Sequence, residues 1–86
     1  MMKKSIHTRD YAILLELLIE LRHNAGLTQA QLGSKLPFGQ PEISKIERGE
    51  RRVDVIELRM ICQALGTSLE CFVNDFEKHL GGELSE

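Results

Sequence analysis

Lys45, Arg48, Arg51 and Arg52 place four cations within eight residues of a chain whose formal net charge is −2. Gln40, Glu42 and Ser44 lie just before or among them. This is hydrogen-bonding chemistry. Guanidinium and ammonium groups bind phosphate oxygens, while Gln, Lys, Glu and Ser match the donors and acceptors on base edges. An acidic protein can still bind nucleic acid through a local basic footprint. From charge alone, a solvated charged face is the better reading. Other reactive groups are sparse. Cys62 and Cys71 make no disulfide framework, and with His7, His23 and His79 scattered they make no zinc site. No nucleophile–base pair or carboxylate pair has a suggestive spacing, so neither an enzyme nor a cofactor is expected.

The elements that must hold these residues are short. The 86 residues allow one domain that buries about 60% of its unfolded surface. Apolar residues at 42% and charged residues at 28% are ordinary for a globular chain. Glu16 and Glu20 interrupt the apolar stretch after Tyr11, so neither a signal peptide nor a membrane span is expected, and the reading is a reduced, cytoplasmic protein. Lys78 stands against Glu70, Asp75, Glu77, Glu83 and Glu86, which gives residues 70–86 a net charge of −4 and the rest +2.

Gly26, the Pro37–Gly39 turn, Gly49, Gly66 and the Gly81–Gly82 pair divide the chain into segments of helical periodicity. The first runs from about Thr8 to Ala25, with Tyr11, Leu14, Leu18 and Leu21 on one stripe. The second begins at Thr28, which forms a capping-box pattern with Gln31, and ends at Lys35 or Leu36 because Pro37 disfavours helix in the residue before it. The third begins near Gln40–Pro41, where proline is tolerated, and ends at Gly49. Asp54 and Glu57 form a second capping box, opening a fourth helix with Val55, Leu58, Ile61, Cys62 and Leu65 inward. The fifth begins at Ser68 and carries the stripe Leu69, Phe72, Val73, Phe76 and Leu80. The fold class is all-α, with five helices. Residues 1–8 are expected to be a flexible N-terminal segment, either disordered or an arm reaching DNA, 9–80 the folded domain and 81–86 a flexible tail.

Between Gly26 and Gly49 the second and third helices form a helix-turn-helix, a unit whose second helix can enter a DNA major groove. Gly33 in mid-helix predicts close approach of the next helix, and Phe38 is the apolar plug of the turn. Ile43 and Ile46 define the buried side of the third helix. Its other side presents Pro41, Ser44, Lys45 and Arg48, with Gln40 and Glu42 near the N-terminal end, and Arg51 and Arg52 follow in the loop.

The string T-Q-A-Q-L-G…I-S-K-I-E-R-G, continued by E-R-R-V-D-V-I-E-L and A-L-G-T-S-L-E, resembles the signature of the lambda-repressor-like, Cro-type helix-turn-helix regulators, the XRE family. The resemblance spans about Leu18 to Val73. It implies a five-helix lambda-repressor-like domain that acts as a homodimeric transcriptional regulator, a repressor, on a palindromic operator in double-stranded DNA. It implies that Gln40, Pro41, Glu42, Ser44 and Lys45 face bases, and that Gln29, Arg48, Arg51 and Arg52 face the sugar-phosphate backbone. It further implies an ion pair between Arg22 and Glu47. Two positions depart from the family pattern: Pro37 where the turn usually has glycine, and Gly39 where the third helix usually has a Ser or Thr cap. Leu15, Ile19, Phe76 and Leu80 exceed what one stripe buries. They form either a dimer interface or a seam where the fifth helix folds over the first. Two rival readings are the antitoxin of a toxin–antitoxin pair and a protein-binding adaptor that has lost DNA binding, and a toxin or an anti-repressor is the possible protein partner.

Overall fold

The computed structural model describes residues 8–84, with side-chain surroundings through Gly81. The expected N-terminal segment, apart from Thr8, and residues 85–86 of the expected tail lie outside that range. Five helices follow in order: α1 (Arg9–Asn24), α2 (Gln29–Gly33), α3 (Gly39–Glu47), α4 (Val55–Ala64) and α5 (Leu69–Leu84). No strand occurs among the described residues.

Local chemistry starts most of them. Thr8 Oγ1 accepts the Tyr11 amide at 3.1 Å to open α1. Capping boxes open α2 and α4: Thr28 with Gln31, and Asp54 with Glu57, each holding both reciprocal bonds. Ser68 Oγ accepts the Cys71 amide at 3.0 Å before α5. The start of α3 has no such bond. Its N-cap is Phe38, and no side chain satisfies the first turn.

The turn explains why. Pro37 fixes φ near −65°, so it cannot take the left-handed conformation that glycine supplies in a tight turn. That conformation falls instead at Gly39, with φ +78°. Gly39 therefore shapes the turn, and the cap expected there moves back to Phe38. Gly33 and α3 touch as the sequence predicts. A Cβ on Gly33 would stand 2.4 Å from Gln40 N and 2.5 Å from Gln40 Cα, closer than atoms can pack.

The core is one cluster of Leu18, Leu32, Leu36, Ile43, Ile46, Leu58, Ile61, Cys62 and Phe72, drawn from all five helices and the turn after α2. Helix α5 lies against both α1 and α4. Four boundary or burial expectations need correction. Helix α2 stops at Gly33, and two tighter turn bonds, Lys35 N to Leu32 O and Leu36 N to Gly33 O, carry the chain on. Val55 is 60% exposed instead of inward, because the first turn of α4 projects beyond the core and leaves Ile56 exposed as well. Val73 is 40% exposed, lying about 100° round α5 from the core residue Phe72. Finally, α5 does not stop at Leu80. Gly81 stays helical, and the helix runs to Leu84. Glycine weakens a helix by about 1 kcal/mol but does not end one by itself.

Candidate nucleic-acid interface

Helix α3 buries Ile43 and Ile46 and turns Gln40, Pro41, Lys45 and Arg48 to solvent, with Glu42 and Ser44 half-buried. The outer face therefore carries one amide, one hydroxyl, one carboxylate and two cations on a helix anchored from behind by two isoleucines.

Behind the helix end sits a near-buried ion pair. Arg22 Nε donates to Glu47 Oε2 at 2.7 Å and Nη2 to Oε1 at 3.0 Å, both side chains about nine-tenths buried. Arg22 Nη1 donates to Leu27 O at 2.9 Å, and Gln29 Nε2 donates to Glu47 Oε1 at 2.8 Å. Glu47 thus ties α1, α2 and α3 together. Burying two charges is expensive unless they are paired and bonded, and here both conditions hold. Gln29, which the family resemblance assigned to the DNA backbone, spends an amide hydrogen inside this network.

The cations behind and beyond the face differ in how they are held. Arg48 donates to Glu50 through Nε and Nη2, both at 2.9 Å, and also to Ser44 Oγ. The Arg48 bond holds the Glu50 carboxyl below the ordinary carboxylate range and raises the guanidinium in turn. Arg52 is exposed and stands over the Tyr11 ring, 5.8 Å from its centroid. The Tyr11 hydroxyl accepts the Val53 amide at 3.1 Å, so the same ring also fixes the loop.

Arg51 is placed differently from Arg52. Its Nε lies 2.7 Å from Glu42 Oε1, its Nη2 and Nη1 donate to the two Glu57 oxygens at 2.7 and 3.1 Å, and it lies over Phe38 at 5.8 Å. Nη1 also reaches Arg52 O at 3.2 Å. The bond from Arg51 is the main reason the Glu57 carboxyl is held low. Each of the three nitrogens of this guanidinium therefore has a partner within the protein. Glu57 and Phe38 as its partners were not legible beforehand. Glu57 has a sufficient local reason, the capping box, and its second role requires the folded loop.

Leu15 is half-buried, packed against the core and beside Gly49. Phe76 stacks on Phe72 at 6.5 Å between centroids. Ile19, Phe76 and Leu80 are half-buried. Helix α5 lies against α1 within one chain, while Ile19, Phe76 and Leu80 each keep part of their surface exposed. Cys62 is buried, which pushes its thiol up to about 11, and Cys71 is exposed. No group of three or more His, Cys, Asp or Glu side chains among the described residues could hold a metal ion. No helix there is long and apolar enough to cross a membrane.

Residues 13–71 match the helix-turn-helix domain family. Over 48 residues the chain is 44% identical to the uncharacterized HTH-type transcriptional regulator y4dJ of Sinorhizobium fredii. That stretch is 56% of this chain and 62% of the relative, so the chain spans less than two thirds of y4dJ. An XRE-family like protein from Pseudomonas syringae pv. tomato is 40% identical and superposes with a TM-score of 0.80, over 90% of this chain and 94% of the other. The chain belongs to the XRE-like helix-turn-helix family.

Proposed function

We propose that this protein is a sequence-specific double-stranded DNA-binding transcriptional regulator, acting as a repressor and as a homodimer on a palindromic operator. The observation that carries the reading is the face of α3: Gln40, Pro41, Ser44 and Lys45 stand at the surface of a helix that Ile43, Ile46 and Glu47 hold from behind. Groups of this kind recognise base edges when a helix enters a major groove. Arg48 and Arg52, exposed beside that face, supply the phosphate contacts, Arg48 by exchanging its exposed partner Glu50, a surface pair worth little, for phosphate. A chain with extents of 41 × 31 × 20 Å carries one such helix, whereas successive major-groove faces lie about 34 Å apart, so two copies are needed to read a palindrome.

Selection of bound duplexes from random DNA, followed by a salt titration against a selected and a scrambled duplex, tests the proposal. A palindromic consensus with half-sites about one helical turn apart is the expected result. Arg52→Ala should weaken binding to both duplexes alike and reduce the salt slope by about two, one per contact in each copy. No enrichment over the starting pool, with binding that does not respond to salt, overturns the reading and favours the adaptor.

A further inference from the structure

Helix α3 is the exposed reading helix, yet its start is the one helix start among α1 to α4 without a side-chain cap. Its first-turn residue Glu42 is held instead from outside the helix. Arg51 Nε sits 2.7 Å from Glu42 Oε1, while the rest of the guanidinium is bonded to Glu57 at the start of α4 and rests on Phe38 in the turn. With Oε1 engaged, Glu42 keeps Oε2, which lies 3.8 Å from Lys45 Nζ one turn along the same helix. An acceptor and a donor thus stand side by side at the surface, in a position fixed by the loop.

Taking the DNA-binding reading above as given, we propose that Arg51 is a positioning residue rather than a phosphate contact, and that it aims the Glu42–Lys45 pair at a single C·G base pair. In the major groove a cytosine presents its N4 amine as a donor, and its guanine partner presents O6 and N7 as acceptors. Glu42 Oε2 matches the first and Lys45 Nζ the second. The anchoring also settles an electrostatic difficulty. A loose carboxylate on a DNA-facing helix would be repelled by phosphate, whereas one fixed between two cations is neutralised and confined to the base edge.

Arg51 is 30% exposed, and each of its nitrogens is tied to Glu42, Glu57 or the Arg52 carbonyl, which leaves one Nη2 hydrogen uncommitted. Its neighbour Arg52 is exposed over the Tyr11 ring. The test repeats the duplex selection and salt titration with Glu42→Gln, Lys45→Ala, Arg51→Ala and Arg52→Ala, with the helicity and melting of each variant recorded beside it. Glu42→Gln keeps the size of the side chain and serves as the probe if Arg51→Ala unfolds. Wild-type protein should require C·G at one position of each half-site. Glu42→Gln, Lys45→Ala and Arg51→Ala should each relax that same position, by roughly tenfold. Arg51→Ala should leave the salt slope unchanged, in contrast to Arg52→Ala. A reduced salt slope with uniform weakening in Arg51→Ala, or relaxation at different positions in Glu42→Gln and Lys45→Ala, overturns this inference while the DNA-binding reading stands. A wild-type protein that selects no duplex overturns both.

Discussion

Glu47 and Arg22 show how much can rest on one carboxylate. Three donors from two residues converge on Glu47, and Arg22 has a second obligation to Leu27 O. Glu47→Ala should therefore cost on the order of 3 kcal/mol or more, measured by urea unfolding, because it leaves a buried guanidinium without its partner. The double change Arg22→Met with Glu47→Leu should recover much of that loss. Two additive losses under about 0.5 kcal/mol would mean that the pair carries no coupling. The two thiols separate just as cleanly. Only a thiolate attacks, and burial holds the Cys62 thiol up at about 11, while Cys71 is exposed. A thiol-specific reagent should label one cysteine per chain in the folded protein, and the second only in denaturant. Two rapid equivalents under native conditions would place Cys62 at the surface.

At the scale of elements, the turn between α2 and α3 is the tightest point. Gly33→Ala forces a Cβ against the backbone of Gln40, which cannot swing aside as a side chain can. The expected loss is about 3 kcal/mol, the upper end of ordinary overpacking. Gly39→Ala meets no close neighbour but must hold φ at +78°, a cost of roughly 1–2 kcal/mol. Melting curves that rank the two variants in the opposite order would contradict this geometry. The ion pair that joins the loop to α4 sets an acid limit. The Glu57 carboxyl is held low in the folded chain, so its contribution is fully present above the unfolded value of about 4.3. It is lost as pH falls through the folded value. Glu57→Gln should therefore flatten the decline of stability below about pH 4 and leave a smaller stability at neutral pH. A variant with the wild-type acid profile would remove Glu57 from that role. These elements also show what the sequence made legible. Both capping boxes could be read because their partners lie three residues apart, and the glycine-marked approach at Gly33 because one residue type implies it. The start of α3 could not, since proline displaced the left-handed position to Gly39. The Arg51 clamp was hidden for a different reason: Glu42, Arg51 and Glu57 lie on three elements, and no local period connects them. Val55 followed the periodicity of α4 but sits in a first turn that overhangs the core, and Gly81–Gly82 resembled a stop that α5 passes through.

At the scale of the whole molecule, the half-burial of Phe76 and Leu80 decides how assembly is probed. Phe76 is half-buried and stacks on the core ring Phe72 of the same helix, so Phe76→Asp should disturb that ring and lower stability. Leu80, nearer the helix end and half-buried, is the cleaner site. Leu80→Asp should stay folded, sediment as a monomer and bind a selected operator far more weakly than wild type. A wild-type protein that is monomeric at high micromolar concentration, free and on DNA, would exclude the homodimer. The contact at Gly33 has one more consequence. Because the two backbones already pack without room for a Cβ between them, α2 and α3 should move as one rigid body. On a curved or mismatched duplex the protein cannot adapt its reading edge, so under the proposed function the conformational adjustment must come from the DNA. Bending is easiest at pyrimidine–purine steps, and it would discriminate between operators at base pairs that no side chain reaches.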